Sequence, residues 1–172
     1  ESGSASATTS VTVAQVAAAV ALSESTLSFA SLADTTQLTA TVTDANGETF
    51  SGATVTWASS DTTKATVSSA GLVTSVADGT ATITAESGSA SATTSVTVAQ
   101  VAATVTLSKS DFTFTSLADT TQLTATVTDA NGETFSGATV TWASSDTTKA
   151  TVSSTGLVTS VADGTATITA ES

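Results

Sequence analysis

Cysteine, histidine, proline, methionine, tyrosine and arginine are all missing from this sequence of 172 residues. The losses remove most of the usual catalytic repertoire. Without His, Cys, Arg or Tyr, a nucleophile would need Asp, Glu or one of three lysines as its activator. Paired carboxylates could serve glycoside cleavage, but the acids stand singly in expected turns, where a solvated loop surface is their ordinary role. No catalytic residue and no cofactor are therefore expected. Positive charge is equally scarce: Lys64, Lys109 and Lys149 are isolated and the formal charge is −12. Nucleic acid, which demands clustered basic residues, is excluded as a partner. No run approaches the ~20 apolar residues that a membrane helix needs. The absence of Cys is neutral on compartment. Neither an initiator Met nor a signal or anchor motif is present, so the expectation is a piece of something longer, with any export signal elsewhere.

What is abundant is Ser and Thr, roughly two-fifths of the chain, set among Val, Leu and Ala. Charged residues are 10% and apolar residues 40%, a balance that opposes disorder and suits pleated strands. The chain repeats itself at a period of 85 residues, with Trp57 recurring as Trp142 and Lys64 as Lys149. Residues 1–85 and 86–170 differ at eight positions: Ala19/Thr104, Ala21/Thr106, Glu24/Lys109, Thr26/Asp111, Leu27/Phe112, Ser28/Thr113, Ala30/Thr115 and Ala70/Thr155. Seven of the eight crowd into positions 19–30 of the unit.

Such a unit is the size of one small domain. Within it the hydrophobic period is two. "TTQLTATVT" puts Leu38, Ala40 and Val42 on one face, "ATVTWAS" does so with Val55 and Trp57, "TATITA" with Ala81, Ile83 and Ala85, and "SVTV" with Val96 and Val98. Turn signals separate these runs at Asp44-Ala45-Asn46-Gly47, Ser51-Gly52, Ser69-Ala70-Gly71, Asp78-Gly79 and Ser87-Gly88. Short alternating strands with turns every eight to twelve residues predict an all-β sandwich.

The stretch from Ala53 to Ser87 resembles the bacterial immunoglobulin-like group 2 domain of invasin- and intimin-type surface proteins. The matching pieces are Val55-Thr56-Trp57, Ser59-Ser60-Asp61, Ala65-Thr66-Val67, Gly71-Leu72-Val73 and Gly79-Thr80-Ala81-Thr82-Ile83, with "QLTATV" at residues 37–42 as the early strand. Both copies carry the set. The sequence departs from the family in having Ser23-Glu24-Ser25 where Pro is frequent, and Ala33-Asp34 where Gly often precedes the "TQL" strand. The resemblance implies tandem immunoglobulin-like β-sandwiches of about seven strands each. It further implies the limits: residues 16–100 form one domain, and residues 101–172 a second that lacks its last strand. Residues 1–15 are then that same closing strand, belonging to a preceding or neighbouring domain.

Four candidate sites follow. Asp44, Asn46 and Glu48, with Asp129, Asn131 and Glu133, alternate like calcium ligands. However, "DANG" is also a tight turn in which Asp bonds its own backbone, and no distant bidentate Glu completes a loop; no metal is expected. Trp57 and Trp142 fall in phase with core residues, so core packing is expected over sugar stacking. Lys64 follows Asp61, and Lys149 follows Asp146, at the spacing of a weak exposed ion pair. The remaining candidate is an inter-copy strand contact through Ala7, Thr9, Val11 and Val13, which duplicate Ala92, Thr94, Val96 and Val98. The linker "AQVAA" at residues 99–103 has no Gly or Pro and predicts a stiff junction. Tandem copies would then string into a rod at ~40 Å per unit.

The expected function is a structural repeat in the stalk or filament of a bacterial extracellular or cell-surface protein. Its expected partners are other copies, head to tail, through a covalent array or strand donation. The alternative is an adhesin module whose variable 19–30 strand or end loops contact a host glycan or protein.

Overall fold

The computed structural model describes residues 4–172. Among them there is no helix, and the strands fall into two sets with no ladder pairing between them. The first set comprises β1 (Ala19–Leu22), β2 (Thr26–Phe29), β3 (Thr35–Gln37), β4 (Ala40–Thr43), β5 (Thr56–Ser59), β6 (Ala65–Val67), β7 (Leu72–Ser75), β8 (Gly79–Ser87) and β9 (Ala90–Val98). One layer is the four-stranded sheet β2-β9-β8-β5; the facing layer holds β3-β7-β6 and the pair β1-β4. All pairings are antiparallel except β2 with β9, which run parallel.

The expected "TTQLTATVT" strand is split at Leu38-Thr39, where the chain leaves β7 and crosses to β1. Leu38 still donates its amide to the Gly71 carbonyl (2.9 Å), and Ser23 Oγ takes the Thr39 amide (3.1 Å), so no backbone group is lost at the corner. Gly71 sits there at φ +83°, backed against the Leu38 carbonyl and the Trp57 ring, where a Cβ would stand 2.6 Å from that oxygen.

Inward residues from both layers close one core of Phe29, Leu38, Ala65, Val73, Ala81, Ile83, Val96 and Val98, with Trp57 packed partly exposed against it. A smaller cluster of Ala17, Val42 and Ala90 lies under Val20, Phe50 and Val55. The alternation read from the sequence is thus the alternation of burial. Leu27 is half-buried, and the other seven of the eight first-copy residues that vary are exposed, which explains how they drift without cost to the core.

The second set repeats the first incompletely: β10 (Thr104–Leu107), β11 (Thr120–Gln122), β12 (Ala125–Thr128), β13 (Thr141–Ser144), β14 (Ala150–Val152), β15 (Leu157–Ser160) and β16 (Ile168–Glu171). Among the described residues nothing occupies the place that β9 takes in the first unit. Two consequences follow from the missing partner. Residues 111–114, the counterpart of β2, form no strand, and β16 is shortened to the four residues that β13 still pairs.

One backbone conformation departs from sequence expectation. Ala33 and Ala118 adopt φ of +57° and +62°, the left-handed region that favours glycine. The loop is fixed in both copies by the same bonds. Ala33 donates to the Ser75 carbonyl (3.1 Å) and Ser75 Oγ to the Ser31 carbonyl (2.8 Å); Ala118 and Ser160 repeat the two at 3.1 and 2.8 Å.

Candidate functional site

Two features go beyond a generic sandwich: an open groove in the second unit and a bonded joint between the units.

The groove, 550 Å³ in volume, runs where a closing strand would lie. Its lining is mixed: Leu107, Phe112, Phe114, Leu123, Val158 and Ile168 supply apolar side chains, set among Ser and Thr residues and the charged Lys109, Asp111, Lys149 and Asp163. The corresponding surface of the first unit is covered by β9, which buries Thr94, Val96 and Val98 and pairs along its full length with β8. Thr94 Oγ1 also reaches the Glu24 carbonyl at 2.6 Å. With the groove open, Phe112 and Phe114 pack edge to face at 5.3 Å, and the Lys109 ammonium lies 5.7 Å above the Phe112 ring. The β16 edge facing the groove presents unpaired backbone, a template for another strand.

Residues 4–18 adopt no regular structure, and Val11 and Val13 are 81% and 87% exposed. Ala7 and Thr9 are exposed as well. The structure therefore places the four strand-contact candidates together on one exposed segment, away from any ladder. Their duplicates in β9 are inward-facing, with Ala92 half-buried and Thr94, Val96 and Val98 buried.

The joint is made by the turn that resembled a calcium loop. In the first unit Asp44 Oδ1 accepts the Asn46 and Glu48 amides (2.9 and 3.0 Å), and Oδ2 takes the Gln15 side chain (3.2 Å). These bonds, the Gln15 bond first among them, hold its carboxyl below the usual aspartate range. In the second unit Asp129 repeats the turn with Asn131 and Glu133 (both 3.0 Å) and receives the Gln100 side chain at 2.9 Å. Two bonds to the first unit are added: the Leu32 amide donates to Asp129 Oδ2 at 2.7 Å, and Asn131 Nδ2 donates to the Leu32 carbonyl at 2.9 Å. Asp129 is thereby only 2% exposed. Burial pushes its carboxyl up, but the hydrogen bonds from Gln100, Leu32, Glu133 and Asn131 outweigh this and leave it lowered. The linker is pinned too. Ala99 and Val101 donate to Phe29 and Ala30 carbonyls, Ala103 to Thr128 (each 2.9 Å), and the Gln100 amide to Asp78 Oδ1 (2.7 Å).

No group of three or more metal-ligating side chains occurs among the described residues. The Asp61 carboxylate is held chiefly by the Thr63 hydroxyl (2.6 Å) and amide (2.9 Å), with only a weaker pull from the Lys64 charge; Asp146 and Thr148 repeat this. The joint residues Leu32, Gln100, Asp129 and Asn131 were not legible as a set, because nothing in sequence links a loop to a turn 97 residues away. The one available signal was a Gln in an otherwise apolar linker.

The family model of the bacterial Ig-like domain (group 2) matches residues 7–98 and again 101–172. The chain belongs to the bacterial Ig-like group 2 family. Among solved structures, domains 5–6 of the S-layer protein SbsC align at 23% identity and a TM-score of 0.45, covering 92% of both chains. The Escherichia coli adhesin FdeC aligns at 22% identity and a TM-score of 0.43, over 88% of this chain and 58% of that one. The Ig-like pair spans 27% of the length of the S-layer protein rSbsC in its crystal structure, at 24% identity and a TM-score of 0.42. A search of curated proteins finds no match. The family assignment accounts for the all-β tandem architecture read from the strand periodicity and the repeat.

Proposed function

We propose that this chain is a non-enzymatic structural repeat of a bacterial extracellular or cell-surface protein, joined head to tail with further copies in a stalk or filament. The observation that carries this reading is the groove of the second unit. Its counterpart in the first unit is filled by β9, and the sequence of β9 recurs at residues 5–13. Strand donation from residues 5–13 of a second copy would place Ala7, Thr9, Val11 and Val13 against the groove, Thr9 taking the role of Thr94. The exchange adds backbone pairing and apolar burial together, as β-augmentation does.

The test uses the chain and a synthetic peptide spanning Ser4–Ala14. Burying two valines at about 1.5–3 kcal/mol each predicts that the peptide raises the melting temperature of the second unit by about 10 °C or more. A peptide with Val11→Asp and Val13→Asp should have no such effect. Sedimentation of the chain alone should show a concentration-dependent ladder of oligomers. A peptide effect without a ladder assigns the missing strand to a covalent array; the absence of both effects would refute the proposal.

A second reading, contact with a host glycan or protein, rests on the clustering of exposed substitutions along β1 and β2 and their counterparts. Binding of the chain on a glycan array, lost when the 104–115 substitutions are reverted to their first-copy residues, would favour it.

A further inference from the structure

We infer that each end of this chain carries one half of the Asp129 joint, so that copies meet through a fixed, hydrogen-bonded interface rather than through the strand alone. The inference rests on the head-to-tail reading above and names the second surface that such copies share.

The receiving half is the turn at Asp44. It already has every bond to the Asp129 carboxylate that does not come from another unit: the Asn46 and Glu48 amides on Oδ1 and the Gln15 amide group on Oδ2. What Asp129 has in addition is the Leu32 amide, and what Asn131 has in addition is the Leu32 carbonyl. The donating half is the loop at Leu117. Its left-handed Ala118 and its bonds to Ser160 reproduce the Leu32 loop, so the Leu117 amide and carbonyl are preset in the same conformation. Leu117 itself is 62% exposed, whereas Leu32 is half-buried at the joint.

Strand insertion would bring these halves together without further adjustment. Residues 5–18 duplicate residues 90–103, so a strand seated as β9 sits leads into the same linker and the same turn. Asp163, the counterpart of Asp78, would then receive the Gln15 amide as Asp78 receives that of Gln100. The partner surface is therefore another copy of this chain, and its chemistry is one carboxylate and one carboxamide against one backbone amide and carbonyl.

Two copies fused so that Ser172 is followed by Gly3 restore the 85-residue spacing and allow a direct test. Amide hydrogen exchange by NMR at Leu117 of the first copy should slow by about ten- to a hundredfold relative to the single chain, the range of a charge-assisted bond. Asp44→Asn in the second copy should abolish that gain. The variant keeps an oxygen for its own turn but presents an NH₂ group, a donor, to Leu117. Asp129→Asn should release Leu32 in the same molecule and serves as the internal standard. If the amides of residues 164–171 gain protection while Leu117 does not, the joint is refuted and the strand reading stands. If neither gains protection, both fall.

Discussion

Ile83 and Ile168 are the same residue in the same local sequence, yet one lies under β9 and the other beside an open groove. Ile83 is 0% exposed and enclosed by both layers; Ile168 is half-exposed and lines the groove. Truncation to Ala removes three carbons, worth about 2.4 kcal/mol of transfer free energy at about 0.8 kcal/mol each. In the closed core a cavity term adds to this, so Ile83→Ala should cost about 3–4 kcal/mol. At Ile168 roughly half the transfer term applies and the groove leaves no new cavity, giving about 1 kcal/mol. At about 4–8 °C per kcal/mol for a domain of this size, the first unit should lose on the order of 15–25 °C and the second about 5 °C. Differential scanning calorimetry resolves the two, with Trp57 and Trp142 fluorescence assigning each transition through Trp→Phe variants. Equal losses at the two sites, or a larger one at Ile168, would refute the argument that β9 makes the difference. Saturating the chain with the Ser4–Ala14 peptide should bring the Ile168→Ala penalty toward that of Ile83→Ala.

Two further outcomes are expected. Ala33→Gly should stabilise the first unit by about 1 kcal/mol, because the left-handed backbone penalty disappears while the Ser75 bonds remain; chemical denaturation with an unchanged slope reports it, and a loss of stability would show that the Ala33 methyl group packs productively. The joint should also depend on pH in one direction. Asp129 has a lowered folded-state carboxyl, so its contribution is full above the unfolded-state value and is lost as pH falls through the folded-state one. Leu32 amide exchange, corrected for intrinsic rates, should therefore stay slow from neutrality down to about pH 4 and accelerate below it. Acceleration between pH 5 and 7 would mean that another group controls the contact.

The period-two runs were legible because each strand buries one face, and burial is written into alternation. Leu38, Val42, Ala81, Ile83, Ala85, Val96 and Val98 are all buried where the pattern puts them. The crossing at Leu38-Thr39 was hidden for the same reason: the alternation continues unbroken while the hydrogen-bonding partner changes. The joint was invisible for a different reason. Asp44 and Asp129 share an identical turn sequence, and what distinguishes them is contact with Leu32 of another unit. A local motif reports its own turn; it does not report who else will use the carboxylate.

The parallel pairing of β2 with β9 has a mechanical consequence. The polypeptide enters β2 at its first residue and leaves β9 at its last, and the strands lie side by side with four registered pairs from Thr26↔Ser95 to Phe29↔Val98. Tension along the polypeptide pulls these strands in opposite directions along their length. The ladder is then loaded in shear, with its bonds sharing the force at once, instead of peeling open one after another. The unit that contains β9 is built as a clamp, whereas residues 111–114 of the second unit, the counterpart of β2, form no such ladder.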